Sequence, residues 1–477
     1  MPLKPFRLQN FDFKGSRATI LGLGRFGGSI AVIEYLADRD AEITVIDNKS
    51  EEDLTESLSQ LASYPDIKFE LGNSGTQLPE TDFLVANPAI PPHHSLLKSA
   101  LEQHIPVTSE IELFWQLNRG TVIGVTGSNG KSTTTAMIHS IIEVSGARCW
   151  LGGNIGISLL PVIDQIQPED WVILELSSFQ LAALNRIQVS PQIAVVTNFS
   201  PNHLDWHQSV EHYRHSKQTI CRWQTETDFA VINADDLELA NWNRTGRLST
   251  FGANRSLNPD VLADRSEIVI KGQEQALQPQ INVPGMHNRL NAAAAISACL
   301  CADIDLTTIQ KGLEKFQGLP HRLQFVGEFQ KRRFFNDSLA TTPESAICAL
   351  DAFENAPIIL MAGGSDKKID LTQFARLLHE RTKATALMGE TGPIIANILE
   401  KQSARSNENA FAMISQPHTT FAEAFDWAYR QSDPGDLILL SPGCASYDWF
   451  SSFVERGEQF INLFRRLSGR IDDSAQK

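Results

Sequence analysis

An apolar run, Val122-Ile123-Gly124-Val125, ends in Thr126-Gly127-Ser128-Asn129-Gly130-Lys131-Ser132-Thr133 and opens into Thr134-Thr135-Ala136-Met137-Ile138. A buried strand, a glycine turn and a helix start in that order predict an α/β layer with the turn at the carboxyl end of a strand. Gly127 and Gly130 let backbone N–H groups face an anion, and the helix N-terminus adds its partial positive charge. Lys131 can neutralise phosphate oxygens, and the hydroxyl of Ser132 or Thr133 can hold Mg²⁺. The expected ligand is ATP, with Asn129 inside the cradle. Val125 stands where the general phosphate-loop pattern has its first glycine, so Thr126-Gly127-x-x-Gly130-Lys131-Ser132 is the part that fits. An ordinary turn with an N-cap is the plainer reading of Gly, Ser and Asn before a helix. A lysine directly after the second glycine, at a strand-to-helix junction, favours the phosphate reading.

At 477 residues the chain exceeds one typical core, and its length suggests about three domains. The net charge of −15 argues against a general nucleic-acid or anionic-membrane binder, so an anionic substrate must be held by local basic groups. Six cysteines show no paired zinc spacing and mostly sit in apolar surroundings, as reduced core thiols do. The first residues lack the apolar core of a signal peptide, and no stretch approaches a membrane span. The expectation is a cytoplasmic protein with no nucleic-acid or membrane partner, and nothing demands more than a monomer.

Residues 18–23 read as a strand running into Gly22-Leu23-Gly24-Arg25-Phe26-Gly27, then a helix to Leu36, then a strand 43–47 ending in Asp47. This is the outline of a βαβ dinucleotide fingerprint, with Asp47 placed to meet a ribose hydroxyl. A nucleotide-sugar suits it as well as NAD, and a turn without a ligand stays open. Residues 83–92 are a further strand and a proline-stiffened loop, and the first domain is expected to end near 116–120. Residues 171–176 form an apolar strand that carries Glu175, whose burial calls for a cation such as Mg²⁺ bridging ATP, unless it reaches water. The next strand, 192–198, delivers Asn202-His203-Leu204-Asp205-Trp206-His207 to a strand end beside Glu175, where ligands collect in parallel sheets. Lys217 falls on a helix, where most lysines are solvated.

Strands follow at 228–233 and 247–251, then a polar, irregular stretch at 253–280 with a short strand at 268–270. An alanine-rich helix spans 292–301, and Asn288 and Asn291 share a face at its start. From about residue 320 strands and helices alternate again, as a second doubly wound sheet with a long last helix from Phe450 and a disordered tail expected after Gly469. Its strand ends carry Asn336-Asp337-Ser338, Gly363-Gly364-Ser365-Asp366-Lys367-Lys368 and Ser441-Pro442-Gly443-Cys444-Ala445-Ser446.

The runs GVTGSNGKST, GGNIG, ELSSFQL, NHLDWH, HNRLN, GLPHR, NDS, AGGSDKK and SPGCAS, in this order and at these intervals, resemble the Mur ligases of peptidoglycan synthesis over nearly the whole chain. SSFQL and SPGCAS with Phe453 make the chain most similar to the glutamate-adding, MurD-type members. The resemblance implies three α/β domains: a Rossmann-like UDP-sugar domain at 1–118, a phosphate-loop ATPase at 119–319 and a Rossmann-like amino-acid domain at 320–477. It implies an ATP-dependent amide ligase with ATP, Mg²⁺, UDP-N-acetylmuramoyl-L-alanine and glutamate, D-glutamate foremost, as its ligands. The substrate carboxylate would take the γ-phosphoryl group as an acyl phosphate, which the glutamate amine then attacks, releasing phosphate. By the same resemblance Lys131, His203 and Lys217 are catalytic. Thr133, Glu175, His203 and a carbamylated Lys217 are Mg²⁺ residues, and Asn291, Arg322 and Asp337 hold the nucleotide. Gly24, Arg25, Phe26, Asp47 and Asn154 meet the UDP-sugar substrate, and Thr341, Lys367, Ser446 and Phe453 hold glutamate.

One position departs from the family pattern. Leu339 stands where a lysine usually follows Asp-Ser, and the neighbouring cations available to replace that charge are Arg322, Lys367 and Lys368. Other readings are a sibling ligase of the superfamily, a folylpolyglutamate synthase, an L-glutamate-specific variant, an NAD-dependent oxidoreductase argued from GLGRFG alone, and a phosphate-loop ATPase without ligase activity.

Overall fold

The computed structural model describes residues 3–9, 11–24, 27–72, 77–155, 158–273, 276–279, 281, 283–353, 356–403 and 412–469. The chain forms two compact units: Met1–Pro279 with Leu290–Lys315, and Gln280–Arg289 with Phe316–Lys477. The first unit contains two sheets and the second contains one.

In the first sheet, β1 (Arg17–Leu21), β2 (Glu42–Asp47), β3 (Lys68–Leu71), β4 (Phe83–Ala86) and β5 (Val107–Thr108) lie in the order β3-β2-β1-β4-β5, all parallel. The order reverses at β1, so the segment beginning at Gly22 leaves the sheet at a topological switch point, where such sheets open a crevice. The helix Gly28–Ala37 follows, with Gly27 as its N-cap in a left-handed conformation, φ 78°.

The second sheet comprises β6 (Thr121–Thr126), β7 (Cys149–Gly153), β8 (Trp171–Glu175), β9 (Ile193–Val196), β10 (Phe229–Asn233), β11 (Arg247–Gly252), β12 (Val261–Ala263) and β13 (Ile268–Ile270). Their order is β13-β12-β11-β10-β9-β6-β8-β7. β6 lies between β8 and β9, again at a switch point. The central strands are largely apolar without alternation and are buried beyond Thr121 and Trp171 at the starts of β6 and β8, as strands covered on both faces must be. The stretch read as irregular after Ala253 contains a second strand, because β12 pairs with β11 on one side and antiparallel with β13 on the other. The alanine-rich helix begins earlier than expected, spanning Met286–Cys301.

The third sheet comprises β14 (Gln324–Phe329), β15 (Arg332–Asn336), β16 (Ile358–Gly363), β17 (Ala384–Met388), β18 (Met413–Ile414) and β19 (Leu437–Leu440), in the order β14-β15-β19-β16-β17-β18. It is parallel except for the β14–β15 hairpin. Inserting β19 between β15 and β16 brings three loops side by side at the carboxyl ends: those after Asn336, Leu440 and Gly363. The last helix spans Phe453–Leu467, starting one turn later than expected because Ser452 caps it through the Glu455 amide. The tail expected to be disordered lies outside the described residues.

Candidate active site

Sheet register decides what flanks the glycine loop. Val125 pairs with Glu175 on β8 and Thr126 with Val196 on β9, so Gly127 emerges between Glu175 and Thr197. Both loop glycines are required sterically. Gly127 has φ 150°, and a methyl group there would overlap Thr197 Oγ1; Gly130 has φ 80°, and a methyl group there would overlap Asn291 Oδ1.

The loop is braced from β9. Asn198 Oδ1 accepts hydrogen bonds from the amides of Ser128 (3.1 Å) and Asn129 (2.9 Å), and its Nδ2 donates to the Asn129 carbonyl (3.1 Å). Thr197 Oγ1 donates to that same carbonyl at 2.6 Å. The expectation that the loop amides face an anion is therefore narrowed. The amides of Ser128 and Asn129 are turned onto Asn198, while those of Ser132 and Thr133 belong to a first helical turn, which has no partners within the helix. Lys131 curls back so that its Nζ donates to the Ser128 carbonyl at 3.1 Å. Thr133 is buried and Ser132 half-buried.

Glu175 is 2% exposed. Its Oε1 accepts from Asn154 Nδ2 at 2.7 Å, whereas Oε2 is buried with no hydrogen-bond donor. The Asn154 amide donates to the Glu175 carbonyl at 2.8 Å, and Gly153, at φ 87°, leaves no room for a side chain against that carbonyl. Gly153 and Asn154 thus cover the end of β8, and Asn154 orients the carboxylate.

Lys217 lies on the helix Val210–Arg222 and is 2% exposed, contrary to the solvated position that its helix alone suggests. Its Nζ donates to the Gly127 carbonyl at 2.7 Å and to Thr126 Oγ1 at 3.3 Å, above the Tyr213 ring. Burial, and then the charge of Lys131, push its pKa well below the ordinary lysine value, with Glu175 opposing. The amine therefore releases its proton unusually readily.

His203 is exposed at a left-handed position, φ 53°, with its ring against Phe179 at 5.0 Å. Desolvation lowers its pKa; Asp205 opposes this, and Lys131 and Lys217 reinforce it. The neutral ring has a free lone pair at pH 7. Behind it, His207 Nε2 meets Ser178 Oγ at 2.9 Å and His207 Nδ1 meets His212 Nδ1 at 3.2 Å, which ties the NHLDWH loop to two helices. Burial pushes His207 down to about 4.

Lys131, Thr133, Asn154, Glu175, His203, Lys217 and Asn291 thus gather around one glycine loop. Asn288, expected to share the first-turn face of its helix with Asn291, has its Nδ2 donating to the Pro284 carbonyl at 2.6 Å.

In the first sheet, Asp47 Oδ2 accepts from the Leu23 amide at 2.8 Å and Oδ1 from the Lys49 amide at 2.9 Å. Each oxygen of the expected ribose contact already holds a backbone turn. Gly24, at φ 68°, packs on Asn87, whose Nδ2 donates to Ser29 Oγ at 3.0 Å. Arg25 and Phe26 lie outside the described residues.

In the second unit, Asp337 is buried, with Oδ1 accepting from the Leu323 amide (3.1 Å) and Oδ2 from Ser441 Oγ (2.7 Å). Burial raises its pKa to about 7, against the hydrogen bond from Ser441 and the charge of Arg322. Thr341, Ser365, Lys367, Gly443 and Ala445 line one small cavity. Ser446 is buried in the same loop, Phe453 is half-buried, and Lys367 is exposed. Leu339 is half-buried, and Lys368 forms an exposed pair with Asp366.

Sequence reasoning passed over Asn198, Asn87 and Arg456. Asn198 carried a usable signal, an amide directly after the strand that neighbours the glycine loop. Arg456 carried none, since a helix arginine reads as solvent-facing.

Three family models match the chain: "Mur ligase MurD-like, N-terminal domain" over residues 16–109, "Mur ligase middle domain" over 125–299 and "Mur ligase, glutamate ligase domain" over 321–444. A UDP-N-acetylmuramoylalanine–D-glutamate ligase of Acetivibrio thermocellus is 37% identical over 463 residues, covering 95% of this chain and 97% of that protein. The ligase of the same name from Geobacillus kaustophilus is 36% identical, covering 98% of this chain and 100% of that protein. Among solved structures, the UDP-N-acetylmuramate-alanine ligase MurC of Thermotoga maritima superposes with a TM-score of 0.62 at 20% identity, over 95% of this chain and all of that one. MurF of Acinetobacter baumannii gives 0.59 at 17% identity, over 97% and 99%. These likenesses at low identity establish a shared fold.

Proposed function

The chain belongs to the Mur ligase family, and from that premise we propose how its residues act. It is an ATP-dependent, ADP-forming ligase that adds D-glutamate to UDP-N-acetylmuramoyl-L-alanine in peptidoglycan synthesis. The observation that carries the site assignment is the buried, donorless Oε2 of Glu175 on the strand next to the glycine loop, with the amine of Lys217 hydrogen-bonded to that loop.

Gly127, Asn129 and Gly130 shape the cradle; the first-turn amides of Ser132 and Thr133, with Lys131, take the ATP phosphates. Asn291, Arg322 and Asp337 hold the rest of the nucleotide. A Mg²⁺ ion fits the donor set. Glu175 has an oxygen that lacks a donor, and this ion binds through one or two carboxylates plus phosphate oxygens, so it needs no protein cage. Among the described residues no three His, Cys, Asp or Glu side chains converge as a cage would require. When bound, Mg²⁺ offsets charge developing on the transferring phosphoryl oxygens. Thr133 and Glu175 would contact it, and His203 would be a ligand of a second Mg²⁺. Once deprotonated, the amine of Lys217 can add to carbon dioxide and lose a proton, and the carbamate formed would be an anionic ligand for the second Mg²⁺.

Gly24, Arg25, Phe26, Asp47 and Asn154 take the UDP-sugar substrate, whose carboxylate receives the γ-phosphoryl group. Thr341, Lys367, Ser446 and Phe453 present the amine of glutamate to the resulting acyl phosphate. Residues 1–118, 119–319 and 320–477 serve as the UDP-sugar, ATP and amino-acid domains of a cytoplasmic monomer. No helix among the described residues is long and apolar enough to cross a membrane.

The test is phosphate release from ATP with Mg²⁺ and UDP-N-acetylmuramoyl-L-alanine, in parallel with D-glutamate, L-glutamate and no amino acid. Stimulation by D-glutamate is the expected result. Stimulation by L-glutamate alone would change the product and implicate Leu339, and release that ignores the UDP substrate would refute ligase activity.

A further inference from the structure

Arg456 is among the largest fully buried side chains of the protein, at 1% exposure. Its hydrogen bonds all end on neutral oxygens. Nε donates to Ser338 Oγ (3.0 Å), Nη2 to the Ser338 carbonyl (2.9 Å), and Nη1 to the carbonyls of Cys444 (3.1 Å) and Ala445 (3.0 Å). Burying a guanidinium without a carboxylate bonded to it is costly. Simple helix packing would be served as well by a hydrophobic side chain of similar volume.

The acceptors reveal what the charge accomplishes. Ser338 follows Asp337 at the end of β15, and Cys444 and Ala445 precede Ser446 in the loop after β19. The Ala445 carbonyl also accepts from the Ser365 amide at 2.9 Å, and the loop after β16 comes so close that a methyl group on Gly364 would lie 3.1 Å from Nη1. One planar fork therefore bonds the loops after β15 and β19 and lies against the loop after β16, adding buried side-chain bonds to the few backbone ones between these loops, from the Gly363 amide to the Pro442 carbonyl, the Ser365 amide to the Ala445 carbonyl and the Gly443 amide to the Ala340 carbonyl. Donation to the Ala445 carbonyl also polarises the peptide group shared with Ser446, which makes the Ser446 N–H a stronger donor to an anion. Leu339 brings no charge to this turn, whereas Arg456 does.

We propose that Arg456 is a positioning residue for the ligase reaction: its guanidinium sets the spacing between the nucleotide-holding turn at Asp337 and the glutamate-holding loops at Ser446 and Lys367 without touching either ligand. The inference rests on the functional reading above, which assigns those loops their ligands.

Arg456→Lys keeps the charge but loses the fork, so one ammonium cannot reach Ser338 and the 444–445 carbonyls together. The expected result is a KM for D-glutamate and for ATP raised about tenfold, with the KM for UDP-N-acetylmuramoyl-L-alanine unchanged, because that substrate is held by the other unit. A purely structural role would lower activity with the folded fraction and leave every KM in place. Parental KM values for glutamate and ATP in the folded variant, or an equal rise for the UDP substrate, would overturn the proposal. If Arg456→Lys does not fold, Ser338→Ala decides: it removes the hydroxyl that Nε bonds and, with it, that hydroxyl's bond to the Phe453 carbonyl, so the KM for ATP should rise together with that for glutamate, and an unmoved ATP KM overturns the proposal. A parent protein without ligase activity would count against the functional reading, whereas an active parent with unmoved KM values counts against Arg456 alone.

Discussion

Replacing Asn198 with alanine tests whether the glycine loop is preorganised by β9. The side chain makes three hydrogen bonds to the loop, to the Ser128 amide, the Asn129 amide and the Asn129 carbonyl. The Ser128 amide keeps a second acceptor, the Asn198 carbonyl at 3.0 Å, which the substitution does not remove. The Asn129 carbonyl keeps Thr197 Oγ1. All three side-chain bonds go, but only the Asn129 amide is left without another protein partner, at about 0.5–1.5 kcal/mol, with water replacing it in the free protein; the loss of a second partner at the other two groups adds a few tenths. The ordering of the loop then falls on ATP binding, a cost of about 1–2 kcal/mol. That corresponds to roughly a fivefold to thirtyfold weaker Kd for ATP, measurable by calorimetry with Mg·ATP, with little change in thermal stability. Asn198→Asp is the informative companion. It retains both acceptors but loses the Nδ2 donor and places a carboxylate beside the phosphates. Its Kd should rise further than that of the alanine variant, and the excess should shrink as salt is added. Parental ATP affinity in Asn198→Ala, or an aspartate variant that binds better than the alanine one, would refute the idea that Asn198 holds the loop ready.

Glu175→Gln keeps the bond from Asn154 and removes the charge at the donorless oxygen; turnover should fall at least a hundredfold at fixed Mg²⁺ while the melting temperature holds or rises, and unchanged Mg²⁺ dependence would remove Glu175 from the metal site. Lys217→Ala should lose activity and regain part of it with short carboxylic acids that occupy the vacated space, as read by phosphate release; full activity without rescue would reduce Lys217 to a buried structural lysine. The pKa of Asp337, raised from 3.8 to about 7 in the folded protein, means that the folded state holds this proton more tightly than the unfolded chain. Its stabilising contribution is complete below about pH 4 and is lost as pH rises through about 7. Asp337→Asn imitates the protonated acid, so denaturation of parent and variant should diverge across that range, the parent losing stability relative to the variant as pH increases. Parallel curves would contradict the assignment.

The local chemistry was legible from the residues. The strand-turn-helix at 121–138, the order of the parallel strands' motifs and the placement of Glu175 and His203 at strand ends follow from hydrophobic runs and glycine positions, which are local properties. β12 was missed because three residues in a polar stretch carry no periodicity; their pairing partners on β11 and β13 decide the conformation. β14 escaped for a related reason, since its identity as an antiparallel edge depends on the hairpin with β15.

Charge states and alliances depended on the tertiary structure. Asp47 was read as a ligand for ribose, and the fold shows it first holding the amides of Leu23 and Lys49. A lysine at 217 and an arginine at 456 look alike in sequence, as long cations on amphipathic helices. The fold buries both, one against the Gly127 carbonyl 90 residues away and the other against Ser338, 118 residues away. Periodicity and turn chemistry are set by neighbours in the chain, so the sequence by itself determined the layers, the phosphate loop and the family. Desolvation is set by whatever packs against a group from elsewhere in the chain, so only the tertiary structure decided which cations are buried, which carboxylate oxygen is left without a donor, and which loops one guanidinium can hold together.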